Sequence, residues 1–230
     1  MSDAEEAIRL WFPVSRCEEI VPRNVVQTEL LGQEAALWRD DLGFVNAWEN
    51  RCPHRGVRLS IGLNTGSELR CQYHGWWYAS ITGQCTYIPA HPGQKPPNVI
   101  KTKRYGCAEQ YGFIWINLGD QPDAAAVPVL QLDSYTTMRS VFTQAPVDLV
   151  AQSLIEAHNF EPATSAGNYI LETTGPGEKS VLLLQPMNAE QTVIHGLIPS
   201  LVRDADRLSV LRQFNGRVSE MRDAIERAAA

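Results

Sequence analysis

Two short boxes constrain this chain more than any other feature: Cys52-Pro53-His54 and, after sixteen intervening residues, Cys71-Gln72-Tyr73-His74. Spacings of one and two residues let each Cys/His pair sit on one tight loop with both side chains aimed at one metal centre. The fold must bring these two loops together, and strands in the intervening segment would do so. Two thiolates and two imidazoles suit a tetrahedral zinc ion. They equally suit a [2Fe-2S] cluster in which two histidines replace two cysteines on one iron. Exchanging thiolate for neutral imidazole removes negative charge from such a cluster, so reduction becomes easier and the potential rises.

The remaining cysteines, Cys17, Cys85 and Cys107, lack partners at ligand spacing and read as small buried hydrophobes. An odd count of five scattered cysteines favours metal binding or plain thiols over a disulfide framework. The opening "MSDAEEAIRLWFPV" is acidic and lacks the basic and apolar regions of a signal peptide. No apolar run is long enough to span a bilayer. A cytoplasmic protein without a membrane partner is expected. The net charge of −6 and the absence of a basic run argue against a nucleic-acid partner.

The texture changes along the chain. Residues 10–118 carry short β-type stretches such as "WFPVS", "NVVQTELLG" and "YGFIWINLG", broken by "DDLG", "NTG" and "ITGQ". The stretch 121–135, "QPDAAAVPVLQLDSY", is weakly patterned. Beyond it, "VDLVAQSLIEAHNF" has apolar residues at helical spacing. "GEKSVLLLQPMNAEQTVIHGLIPS" reads as two strands joined by a turn, and "LSVLRQFNGRVSEMRDAIERAAA" as a closing helix. The expected class is therefore α+β: an all-β domain over 1–120, a linker over 121–140, and a helix-plus-antiparallel-sheet domain over 141–230.

"CPHRG" and "CQYHGW" resemble the cluster-binding boxes of Rieske proteins, specifically those of the ring-hydroxylating non-heme iron oxygenases. "LWFPV", "NRCPHRG", "YHGWWY" and "YGFIWINLG" follow in the family's order over the first half of the chain. Respiratory Rieske proteins carry an extra cysteine in each box, where Val57 and Tyr73 stand here. The resemblance implies a [2Fe-2S] cluster with Cys52 and Cys71 on one iron and His54 and His74 on the other. It implies an electron port at the histidine side, backbone approach at Gly56 and Gly75, a loop fixed by Arg55, and a cluster walled by Trp76 and Trp77.

The family's C-terminal domain holds a mononuclear Fe(II) on two histidines and one carboxylate. Its motif is roughly Asn-x-x-Asp-x-x-His-x-x-x-x-His. The matching stretch here is "QSLIEAHNFEPATSAG". His158 takes the first histidine place, but Gln152 stands for the Asn, Ile155 for the bridging Asp and Ala163 for the second His, with Thr164 next. Val218 falls at the acidic ligand's place, with Glu220 and Asp223 nearby. One imidazole does not hold ferrous iron usefully. The domain is therefore expected to be a shortened, reduced helix-grip platform without its own catalytic iron.

The function expected is that of a Rieske component of an oxygenase system. It would take electrons from an NAD(P)H-dependent reductase or a ferredoxin and pass them to a mononuclear iron on a partner α subunit, in a trimer-based hetero- or homo-oligomer. Three alternatives stand beside it. One is a self-contained oxygenase with a rearranged site from His158, His195 and Glu161 or, less well aimed, Glu156. The others are a stand-alone carrier and a zinc-stabilised module without redox function.

Overall fold

The structure is a computed structural model. It describes residues 6–119, 127–130, 132, 134–163, 169–174, 179–200 and 204–229, with the backbone alone at 204–207. The chain forms two compact units. One runs from Val14 to Val127 without Leu30–Gly32; the other takes Pro128 onward with the segments before Val14 and at Leu30–Gly32.

The first unit holds β1 (Phe12–Arg16) from Val14 on, β2 (Val25–Leu30) up to Glu29, β3 (Gln33–Arg39), β4 (Val45–Glu49), β5 (Leu63–Asn64), β6 (Glu68–Arg70), β7 (Trp77–Ala79), β8 (Cys85–Tyr87), β9 (Gly106–Gln110) and β10 (Phe113–Asn117). Three small sheets result, in the orders β1-β10-β9, β2-β3-β4 and β5-β6-β7-β8. The β3–β4 hairpin turns where Asp40 accepts the N–H groups of Leu42 (3.0 Å) and Phe44 (2.9 Å) through Oδ1. Ala36 and Trp38 of β3 and Trp48 of β4 alternate onto one face, and Trp38 meets Trp48 edge-on at 5.1 Å. Buried Asn46 then locks this hairpin to the β7–β8 turn. Its Nδ2 donates to Ser80 Oγ (3.0 Å), and its Oδ1 accepts from the Ile81 amide (2.7 Å). This matters for the site because one Cys/His box follows β4 and the other is the loop between β6 and β7.

The second unit contains β11 (Tyr135–Thr137), β12 (Val141–Thr143), helix α1 (Val147–Ala157), β13 (Phe160–Pro162), β14 (Ile170–Thr173), β15 (Val181–Pro186), β16 (Thr192–Pro199) and helix α2 (Asp204–Ala229). The antiparallel sheet runs β11-β16-β15-β14-β13, with β12 also on β16. Leu182 and Leu184 of β15 and Ile194 and Ile198 of β16 pack with Val150 and Leu154 of α1 and with Val218, Met221 and Ile225 of α2. The last three stand at i, i+3 and i+7, the stripe that seats an amphipathic helix on a core. The α+β reading holds. The two expected strands are β15 and β16, and the turn between them closes through the Met187 amide on Gln191 O (3.0 Å). Four further strands had no legible pattern because each is only three or four residues long. One of them, β11, lies inside the stretch expected as a linker, of which 121–126, 131 and 133 lie outside the described residues.

Candidate metal centre

The two boxes fold into near-copies of one turn. In the first, the Gly56 amide donates to Cys52 O (2.8 Å) and the Cys52 amide to Val57 O (2.8 Å). In the second, the Gly75 amide donates to Cys71 O (3.1 Å) and the Cys71 amide to Trp76 O (2.8 Å). Each turn closes on a left-handed residue, Gly56 at φ +69° and Gly75 at φ +68°, a conformation a side chain would strain. A Cβ on Gly75 would also stand 3.2 Å from Pro89 Cγ, so the following loop packs directly on this turn. The glycines are thus needed for the turn itself.

The turns bring the four residues together in two unlike pairs. Cys52 and Cys71 are 4% and 2% exposed and belong to the unit's hydrophobic core, with Ala36, Trp38, Trp48, Leu59, Leu69, Tyr78, Cys85 and Ile88. The two free thiols interact with each other. Cys52 is thereby pushed down to about 5, chiefly by Cys71, then by the Tyr78 hydroxyl and the amides of His54 and Arg55, against the opposing effect of burial. Cys71 is pushed up by the same thiol contact and by burial, while the amides of Tyr73 and His74 act the other way. Each sulfur therefore sits in a cradle of backbone N–H donors suited to a thiolate. Tyr78, fully buried, places its hydroxyl 3.1 Å from Cys52 Sγ.

The imidazoles form the outer pair. His54 and His74 rings lie 4.6 Å apart at 65°, with His74 exposed. Trp76 stacks on His54 at 4.2 Å and 8°, and Tyr73 leans on His74 at 3.9 Å. Buried His54 Nδ1 has no hydrogen-bond partner. An orphaned buried ring nitrogen is costly unless something else binds it, and a metal bond would satisfy it. Among the described residues, no three His, Cys, Asp or Glu side chains gather around one point as a single ion requires. A dry thiol pair beneath a wetter imidazole pair fits a two-iron cluster and matches a tetrahedral zinc poorly. When bound, a [2Fe-2S] group supplies one-electron redox chemistry; Cys52, Cys71, His54 and His74 are the residues that could hold it.

Several sequence readings change here. Arg55 is exposed, and its side chain makes no hydrogen bond or ion pair among the described residues. Arg58 fixes the loop instead, donating from Nε to Glu34 Oε2 (3.0 Å) and forming an ion pair with that carboxylate. Tyr78 carries no sequence signal: it reads as a core residue of a short strand. Trp76 does wall the site, whereas Trp77 packs edge-on to Tyr87.

In the second unit, His158 caps α1, its amide donating to Leu154 O (3.2 Å). Ile155 and Glu156 are exposed, and Glu156 accepts from Gln152 Nε2 (2.9 Å). Glu161 stands exposed on β13 opposite Glu172. His195, 2% exposed, has both ring nitrogens occupied: Ser140 Oγ lies 2.8 Å from Nδ1 and Gln185 Oε1 lies 3.0 Å from Nε2. It offers no lone pair to a metal, so the rearranged site built on it is set aside. Val218 belongs to the core, and Thr164 lies outside the described residues.

Comparison with known proteins agrees with this geometry. Residues 10–104 match the Rieske [2Fe-2S] domain family. The first unit is accordingly a Rieske domain, and its cofactor is a [2Fe-2S] cluster. The oxidoreductase NdmD of Pseudomonas putida is 48% identical over 154 residues, covering 64% of this chain and 26% of that protein. Methylxanthine N1-demethylase NdmA of the same organism is 32% identical over 150 residues, covering 63% of this chain and 42% of that protein. The chain thus spans less than half the length of these relatives. The structure of apo dicamba monooxygenase shares the fold, with TM-score 0.78 at 18% identity over 96% of this chain and 86% of the other. The chain thus carries a Rieske [2Fe-2S] domain over residues 10–104 and shares the fold of dicamba monooxygenase. No helix among the described residues is long and apolar enough to cross a membrane.

Proposed function

We propose that this chain is the electron-donating component of a Rieske oxygenase system, reduced by an NAD(P)H-dependent reductase or ferredoxin and passing electrons to a mononuclear iron on a partner subunit. Cys52, His54, Cys71 and His74 hold the cluster in this reading. The observation that carries it is the contrast between the two units. The first has a preformed ligand set with an orphaned buried His54 Nδ1. In the second, His195 is fully hydrogen-bonded, Ile155 stands for the family's bridging Asp, and Ala163 and Val218 stand at two of its three ligand positions.

This chain's own residues have definable parts to play. The backbone amides beside Cys52 and Cys71, with the Tyr78 hydroxyl, stabilise negative charge at sulfur. The hydrophobic core around the thiols excludes water from that side. His54 and His74 form the edge open to a partner, so electrons enter and leave there. The test is metal and sulfide analysis of the anaerobically purified chain, followed by capture with an iron-bearing oxygenase α subunit. Two irons and two acid-labile sulfides per chain, with stable capture of the α subunit, are expected. A third iron together with reductase-dependent oxygen uptake by the chain alone would instead make it a self-contained oxygenase.

A further inference from the structure

The first unit holds a cleft of about 250 Å3 that none of the four Cys/His residues lines. It opens where two strands part. The Tyr105 amide donates to Ala47 O (2.8 Å) and the Glu49 amide to Lys103 O (2.9 Å), so residues 103–105 run beside β4. The chain then enters β9, which pairs with β10 instead. Phe44 and β4 line the resulting gap on one side, Arg104 and Tyr105 on the other, and Ile81 of the β7–β8 turn also reaches it. Ile81 stands at φ +64°, a left-handed backbone that strains a β-branched side chain. Two hydrogen bonds hold it there. Its amide donates to buried Asn46 Oδ1 (2.7 Å), and its carbonyl accepts from Arg104 Nη1 (2.7 Å). Glycine or asparagine would adopt this conformation with less strain, yet an isoleucine occupies it with 51% of its surface exposed. Strained residues over-determined by their surroundings cluster at ligand clamps.

Arg104 is fixed twice, at its head by Ile81 O and along its stem by the Gly83 turn, where a Cβ would stand 3.3 Å from Arg104 Cγ. A guanidinium carries five donors; this one gives one of them to Ile81 and forms no ion pair among the described residues, in a chain whose net charge is −6. Phe44, 53% exposed, adds a second apolar wall to that of Ile81. We propose that this cleft binds a small organic monocarboxylate with a planar apolar body, the carboxylate on Arg104 and the body against Phe44 and Ile81. The planar fork of an arginine matches a carboxylate, and a side chain already held in place loses little freedom on binding. The exposed ring of Phe44 and the side chain of Ile81 favour an apolar body over a bare anion. The volume lies below the ~300 Å3 at which drug-sized sites begin, which limits the ligand to about one ring. Binding is reversible and breaks no bond. The inference is independent of the electron-donor reading, because none of these residues holds the cluster.

The experiment titrates the isotope-labelled full chain, with its cluster, with benzoate and follows the backbone amide resonances. Saturable shifts at Val45, Ile81 and Arg104 are expected, with a Kd of about 1 mM or tighter. Benzamide, the ring without the charge, and acetate, the charge without the ring, should each bind about tenfold more weakly or worse. Arg104→Gln should weaken benzoate about tenfold and bring it level with benzamide. Phe44→Ala removes a half-exposed ring that takes no part in the hydrogen bonds of the turn; it should weaken benzoate about fivefold with the unfolding midpoint unchanged, which keeps the test open should Arg104→Gln fail to fold. Ile81→Asn should weaken binding while the midpoint stays level or rises, a split that a purely structural turn would not show. Arg55→Gln, outside the cleft, should bind as the unmodified protein. Absence of saturable shifts at these amides up to about 20 mM benzoate overturns the proposal. So does equal binding of acetate and benzoate that ignores Phe44→Ala, which would leave an adventitious anion contact only. Self-association in sedimentation velocity that Phe44→Ala abolishes also overturns it, since a second copy would then fill the cleft.

Discussion

Replacing Tyr78 by Phe tests the site at a single atom. The side chain is fully buried in the core beside both cysteines, and its hydroxyl stands 3.1 Å from Cys52 Sγ. Phe keeps the ring and its packing, so the substitution removes one hydrogen bond and little else. A hydrogen bond to a charged acceptor contributes about 1.5–3 kcal/mol. The reduction potential senses only the part that differs between oxidised and reduced forms. If that part is about 1 kcal/mol, the one-electron relation of 59 mV per tenfold change converts it to about 40 mV. The sign follows from charge: reduction adds an electron, the donor stabilises the more negative state, and its loss must lower the potential. Tyr105→Phe is the control, because that buried hydroxyl has no hydrogen-bond partner among the described residues. A redox titration followed by electron paramagnetic resonance should show Tyr78→Phe about 40 mV below the unmodified protein and Tyr105→Phe within about 10 mV of it. An unchanged or higher potential in Tyr78→Phe would refute the assignment of Cys52 as a cluster thiolate bonded to Tyr78.

Other outcomes follow from the same coordinates. Cys71→Ser should abolish the visible absorption of the cluster, whereas Cys85→Ser, a core thiol bonded to Tyr87 O, should keep two irons and two sulfides per chain. His195→Leu should cost about 2–4 kcal/mol in urea unfolding, because Gln185 and Ser140 lose their partner inside the sheet, yet leave the iron content unchanged; loss of iron would restore His195 as a ligand. Burial, then Glu109, pushes Cys17 up to about 12, and burial does the same to Cys107. In the folded chain both should therefore react with thiol reagents at pH 8 some three orders of magnitude more slowly than a free thiol. Folded values above the unfolded one also mean that stability is intact below about pH 8.5 and declines as pH rises toward 12. Glu109 has the opposite sign, being held low first by its hydrogen bonds from Arg39. Its contribution is present above about pH 4.3 and is lost as pH falls through its lower folded value, so Glu109→Gln should flatten the acid limb of a stability profile.

The legible parts of the sequence were those with local causes. Cys-x-His and Cys-x-x-His fix turn geometry over five residues, and Gly56 and Gly75 mark where those turns need a left-handed backbone. The repeating apolar stripe of α2 and the paired runs of β15 and β16 are likewise local. What could not be read depends on long-range contact. Tyr78 reaches Cys52 across twenty-six residues, Arg58 reaches Glu34 across twenty-four, and Asn46 reaches Ser80 across thirty-four. Nothing in the residues flanking Arg55 or Arg58 decides which of the two finds a partner. That depends on where β3 brings Glu34, a matter of sheet register.

In the electron-donor reading proposed above, the second unit is a sheet-and-helix scaffold that stands independently of a metal. A ligand set is a cluster of buried polar groups, and such groups are stabilising only while each is bonded. Ile155 and Val218, where the family resemblance places the bridging Asp and the acidic ligand, each have an environment here needing no ion. Val218, at 2% exposure, extends the stripe that Met221 and Ile225 continue, and burying such a side chain contributes about 2 kcal/mol. Ile155 sits on the exposed side of α1, where a carboxylate or an isoleucine is equally tolerated by the core. His195, the buried imidazole on the sheet, is held between a hydroxyl and an amide oxygen. Removing iron from an intact ligand set leaves buried carboxylate and imidazole groups without their bonds; in the proposed reading the second unit carries no such penalty. The stability of this unit should therefore be the same in chelator and in added ferrous iron, whereas the Rieske unit, with its orphaned His54 nitrogen and its pair of thiols competing for one proton, should unfold more readily once its cluster is lost. Domain-resolved unfolding with and without a chelator would separate the two, and a rise in the second unit's midpoint on adding iron would refute the argument.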